Sequence, residues 1–69
     1  MNKSLNDYLN QRIVWSKTNS AEFPYEATVG KEQGRIRLND FPPEPLYTLL
    51  INEEAVGSFD EWPSHWQRS

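Results

Sequence analysis

The chain has 69 residues, a formal net charge of −3, no cysteine and one histidine, which excludes a disulfide framework and a cysteine–histidine zinc site. At this length folding hides only roughly 60% of the surface that the unfolded chain exposes, so the interior must be unusually productive for its size. Aromatic residues, 13% of the chain, supply the means, since each of Trp15, Trp62, Trp66, Tyr8, Tyr25, Tyr47, Phe23, Phe41 and Phe59 can bury a large area.

The N-terminus lacks the basic, apolar, small-residue order of a signal peptide, and no apolar run approaches the ~20 residues that span a bilayer. A soluble cytoplasmic protein is the expectation, with no membrane partner. Charge is uneven: Met1 to Asn39 carries six bases against four acids, whereas Asp40 to Ser69 carries one base against six acids. The second half is therefore expected to present a negative face that steers a basic partner towards it.

Ser4 followed by Asp7 reads as a capping box, and Leu5, Tyr8, Leu9 and Ile13 recur at helical spacing, which predicts a helix from Ser4 to about Arg12. Ile13-Val14-Trp15 is β-branched and aromatic, fit to finish that helix or to begin a strand. The polar stretch Lys17 to Glu22, ahead of Pro24, reads as a loop.

From Tyr25 the pattern alternates. Tyr25, Ala27 and Val29 share one face, then Ile36 and Leu38 alternate with Arg35 and Arg37, and period two means strands. A four-residue loop over Lys31-Glu32-Gln33-Gly34 sets Val29 opposite Ile36 and Ala27 opposite Leu38, with Glu26 diagonal to Arg37. Phe41-Pro42-Pro43-Glu44-Pro45 reads as a stiff extended connector, because three prolines remove three backbone donors.

Leu46 to Asn52 and Ala55 to Phe59 form a second hairpin, turned at or near Asn52-Glu53. Glu53 suits a left-handed turn position poorly, so a longer loop or bulge competes with a two-residue type I′ turn. Leu49-Leu50-Ile51, apolar on both faces, marks the best-buried strand. Asp60 is read as the cap of a short helical turn running through Trp66, with Pro63 tolerated in its first turn.

The expected fold is thus a small single α+β domain over residues 1–69: an N-terminal helix packed on a four-stranded antiparallel β-meander of two hairpins, closed by a short C-terminal helical turn. Its expected core is Leu5, Leu9, Val29, Ile36, Leu38, Leu49, Ile51, Val56, Phe59 and Trp62.

No catalytic, cofactor or metal site is expected. His65 is the one side chain with an ordinary pKa near neutrality, but Ser64 beside it in sequence is not a triad, whose members converge from separate elements. Asp60, Glu61 and His65 are too local to read as a metal site and read instead as a solvated face. Trp62 and Trp66, four apart, would share one side of the C-terminal turn, where core packing is the first explanation; aromatic anchors are also typical interface hot spots, and a domain this small has limited area in which to hide two indoles. The leading reading is a non-enzymatic protein-interaction module (adaptor, inhibitor or immunity-type protein) using Trp62, Trp66, Glu53, Glu54, Asp60 and Glu61 towards a protein partner, basic in character. Exposed sheet edges also allow a homodimer. The alternative from another class is weak nucleic-acid binding on the Lys31, Arg35 and Arg37 strand face beside Trp15 and Tyr25, disfavoured by the acidic balance and by Glu26.

Overall fold

The computed structural model describes residues 3–40 and 43–68. It consists of one helix, α1 (Leu5–Leu9), and six strands: β1 (Ile13–Lys17), β2 (Tyr25–Val29), β3 (Glu32–Leu38), β4 (Tyr47–Ile51), β5 (Glu54–Phe59) and β6 (Trp66–Arg68). The strands make a single mixed sheet in the order β5-β4-β3-β2-β1-β6, in which β1 and β6 are parallel and all other neighbours antiparallel. This replaces the expected four-stranded meander with a packed helix: the meander β2 to β5 is one end of a larger mixed sheet that β1 and β6 extend, and helix is a minor component.

The helix starts where expected. Ser4 Oγ accepts from the Asp7 N–H while the Asp7 carboxylate accepts from the Ser4 N–H, a reciprocal capping box. It ends three residues before Arg12 because Asn10 caps it, its side-chain amide donating to the Asn6 carbonyl at 2.9 Å. Ile13-Val14-Trp15 then enters the sheet, with Ile13 and Trp15 buried and Val14 exposed, an alternation only a strand permits.

The β2–β3 hairpin turns on two residues, not four. Gly30 sits at φ +63°, the conformation a primed turn needs at its first central position, and Val29 pairs with Glu32, Ala27 with Gly34 and Tyr25 with Ile36. The expected register is therefore corrected by an even number of residues, and every side chain keeps its face. The β4–β5 hairpin closes on Asn52 (φ 51°) and Glu53 (φ 72°), both left-handed as a two-residue type I′ turn requires. Asn52 secures it by pairing with Gln33 through both its N–H and its side-chain oxygen. A bulge between Leu49 and Leu50 accommodates Val56 as the extra residue of β5.

No helical turn forms over 60–66. The Trp66 N–H donates to the Pro63 carbonyl, the chain reverses, and Trp66–Arg68 lies parallel to β1 with Ile13 opposite Trp66 and Trp15 opposite Arg68. The sheet curls until its two edge strands face each other, with the Phe59 and Trp66 rings 5.4 Å apart, and α1 fills the gap. The Trp66 indole N–H donates to the Tyr8 carbonyl at 2.9 Å, and Leu5 packs on Gly57.

The core is Tyr8, Ile13, Trp15, Ala27, Val29, Ile36, Leu49, Ile51, Phe59 and Trp66, with Leu5, Leu9, Val56 and Trp62 at its margin. Leu38, expected inside, is 45% exposed: β2 begins opposite Ile36, and beyond it Leu38 meets the β1–β2 loop, its N–H donating to the Glu22 carbonyl at 2.9 Å, in place of a strand. Of the proline connector, Phe41 and Pro42 lie outside the described residues. Among the described residues no helix is long and apolar enough to cross a membrane.

Candidate functional site

A partly exposed aromatic surface lies on the bend between β5 and β6. Trp62 is half-buried there, its ring centroid 5.1 Å from Tyr25, 5.3 Å from Trp66 and 5.6 Å from Tyr47. Its indole N–H donates to the Trp66 carbonyl at 3.3 Å, so the ring is held in one orientation. An open groove runs past it, floored by Leu9, Phe59, Trp62 and Pro63 and edged by Asn6, Asn10, Asp60, Glu61, Ser64 and His65. The guanidinium of Arg68 lies over the Trp62 ring, 4.8 Å from its centroid.

The expected pairing of Trp62 with Trp66 is real, but its geometry is not that of a helix face. The two rings meet nearly edge to face, at 79°, because the bend brings them together. Trp66 is 4% exposed and belongs to the interior, so of the two indoles only Trp62 offers area to a partner.

The six acids of the second half do not form one face. The Asp60 carboxylate accepts from the Leu46 N–H at 3.1 Å, and the Glu44 carboxylate accepts from the Asp40 N–H at 3.3 Å, which gathers Asp40, Glu44, Asp60 and Glu61 at one end of the sheet. Glu53 and Glu54 sit at the other end of β5, about 17 Å away by strand rise. Glu54 edges a second groove there, between α1 and the β4–β5 turn, together with Lys3, Tyr8 and Glu32.

In that second groove the buried Tyr8 hydroxyl donates to Glu32 at 2.9 Å. Its pKa is raised above 10.0, first by burial, then by the hydrogen bond to Glu32 and the negative charges of Glu32 and Asp7. As pH rises the unfolded chain loses this proton first, so the contribution of Tyr8 to stability is complete below about pH 10 and declines as pH climbs through the higher folded-state value. Urea midpoints measured across the alkaline range should fall more steeply for the wild type than for Tyr8→Phe; parallel curves would contradict the coupling.

The arginine face is already paired. Arg35 lies 3.4 Å from Glu53 and Arg37 lies 3.6 Å from Glu22, which takes the place expected for Glu26. Glu26 instead stands opposite Arg35 in the ladder. Trp15, expected to stack beside the arginines, is fully buried, and Tyr25 packs on Trp62; the ring near Arg35 is Phe23, 5.7 Å away. Lys31 is exposed at the β2–β3 turn. Sequence reasoning passed over Phe23 and Arg68; neither has a pattern signal, since both meet their partners through loop geometry.

Comparison with protein families, with curated proteins and with solved structures finds no match. The functional reading therefore rests on the chemistry of these surfaces alone.

Proposed function

We propose that this chain is a non-enzymatic protein-interaction module, of adaptor, inhibitor or immunity type, that engages a protein partner through the groove beside Trp62. The observation that carries this reading is the partly exposed indole of Trp62, held by its hydrogen bond to the Trp66 carbonyl, in a groove of mixed polar and apolar lining with Asp60 and Glu61 at its edge. Such a ring contributes contact area with little loss of conformational freedom, and buried aromatic anchors ringed by polar groups are the usual energetic centres of interfaces. The carboxylates favour a partner of basic character. The same reading assigns the protein to the cytoplasm, where a chain without cysteine gives up nothing to a reducing environment.

Affinity purification of the tagged chain from native-host extract, at low and at high salt, tests the reading. A stoichiometric protein should be retained at high salt by the wild type and lost by Trp62→Ala, because hot-spot truncation costs about 2 kcal/mol or more. Nucleic acid as the sole companion, lost at high salt and absent from Arg35→Glu/Arg37→Glu, would overturn it in favour of the arginine face.

A further inference from the structure

We infer that the interaction surface continues from Trp62 across Tyr47 to Leu38, and that this extension takes an apolar side chain of the partner flanked by lysine or arginine. The inference rests on the protein-interaction reading and adds to it a contact residue and a partner chemistry. At the last pairs of β3, β4 and β5 the inward-facing residues are Leu38, Tyr47 and Phe59, which stand opposite one another across the two ladders. Phe59 is buried, Tyr47 half-buried and Leu38 45% exposed, so cover runs out along this row. The Trp62 ring lies 5.6 Å from Tyr47, and the residue beyond Tyr47 is Leu38. Residues directly opposite on one face of an antiparallel pair hold their β-carbons about 5 Å apart, so Leu38 and Tyr47 form one apolar strip. The other exposed large hydrophobic residue, Val14, lies on the outer face of β1 between the buried Ile13 and Trp15.

Carboxylates flank this strip. The Asn39 N–H donates to the Leu46 carbonyl at 2.9 Å and its side-chain amide to the Pro45 carbonyl at 2.9 Å, which closes the β3–β4 connector at the end of the sheet where Leu38 and Tyr47 stand. That connector carries Asp40 and Glu44, and Asp60, next after Phe59, accepts from the Leu46 N–H. Among the described residues none of Asp40, Glu44, Asp60 and Glu61 has an ion-pair partner, whereas both arginines of β3 are paired. An apolar centre beside uncompensated negative charge fits an apolar side chain with basic neighbours. A second copy fits worse, because a two-fold contact over Leu38 would set these carboxylates against their own kind.

The test is a titration of the intact chain with the blocked peptides Lys-Lys-Leu-Lys-Lys and Lys-Lys-Gly-Lys-Lys, following the Leu38 methyl groups and the Trp62 indole N–H by NMR. The leucine peptide should shift the Leu38 methyl resonances and bind more tightly than the glycine peptide. Leu38→Ser, at an exposed strand end, should keep a urea midpoint near that of the wild type and bind the leucine peptide about fivefold more weakly, the usual mark of a contributing interface residue. Val14→Ser, which removes a comparably exposed apolar side chain from the outer face of β1, should leave affinity unchanged. Asp40→Asn/Glu44→Gln should weaken both peptides several-fold. Equal affinity in Leu38→Ser and wild type, an equal loss in Val14→Ser, no preference for leucine over glycine, or no binding of either peptide by the wild type would overturn the inference. Leu38 methyl shifts that follow protein concentration alone would also overturn it, in favour of a second copy on the strip. A partner that co-purifies with the wild type and equally with Leu38→Ser, but not with Trp62→Ala, would overturn it while leaving the protein-interaction reading intact.

Discussion

Trp66→Ala unfolds the chain at room temperature. The ring is 4% exposed and lies 5.1 Å from Trp15, 5.3 Å from Trp62 and 5.4 Å from Phe59, so its removal empties the centre of the aromatic cluster. Truncating a buried tryptophan or phenylalanine to alanine costs about 3–5 kcal/mol. A chain of 69 residues has a total stability of about 3–10 kcal/mol at the usual per-residue value, so the loss consumes most or all of it. Position compounds size. Trp66 joins β6 to β1 in the sheet, reaches across to Phe59 on the opposite edge strand, and donates to Tyr8 in α1. Without it neither the parallel strand nor the helix has a reason to stay. Trp66→Phe should remain folded with reduced stability: the Tyr8 carbonyl also accepts from the Gln11 N–H and is not orphaned. Near-ultraviolet circular dichroism and urea melts of both variants check this, and a native-like spectrum with a wild-type midpoint for Trp66→Ala would contradict it.

Gly34→Val is the second substitution with a large expected effect, a loss of about 3 kcal/mol. A β-carbon built on Gly34 stands 3.1 Å from Trp15 Cη2, 3.4 Å from Trp15 Cζ3 and 3.4 Å from the Ala27 carbonyl oxygen. Alanine there already demands that the indole give by a few tenths of an ångström, and the two methyl groups of valine demand far more. The indole has little room to yield: Trp15 is fully buried, with Trp62 and Trp66 against it. Valine's higher strand propensity returns no more than ~1 kcal/mol. The urea midpoint should fall for Gly34→Ala and fall much further for Gly34→Val; a rise for valine would mean that Trp15 moves freely and that the interior is looser than described.

The contrast between those two sites and the sequence pattern explains what could be read in advance. Alternation over Tyr25–Val29 and Arg35–Leu38 identified strands, and all its inward residues but Leu38 are at least partly buried, since period two is a property of the residues themselves. It could not fix the β2–β3 register, because an even slip preserves every face; the deciding residue was Gly30, whose freedom at positive φ places the turn. The capping box of Ser4 and Asp7 was legible, but the helix end was not: Ile13 fits both a helical stripe and a strand, and only the pairing of β1 with β2 and β6 selects the strand. Trp66-Gln67-Arg68 is too short for any periodicity, and its partner lies more than fifty residues earlier in the chain.

The candidate site divides the same way. That Trp62 stands among carboxylates follows from its neighbours Asp60 and Glu61 in sequence. That Trp66 is interior while Trp62 is not depends on a chain reversal at Pro63, which fits a helix N-terminus equally well as a sequence signal. Glu53 and Glu54 were grouped with Asp60 and Glu61 by sequence proximity, and the length of β5 separates them. The arginines looked like an open basic stripe because their partners, Glu22 and Glu53, come from loops on either side.

The measurement that tests the central claim most directly is affinity purification of tagged wild-type and Trp62→Ala chains side by side from native-host extract at high salt, with the fold of each verified by circular dichroism. A protein present in stoichiometric amount with the wild type and absent from folded Trp62→Ala is the result expected of an interaction surface centred on that indole. The same protein retained equally by both chains, or nucleic acid alone at low salt, would contradict it.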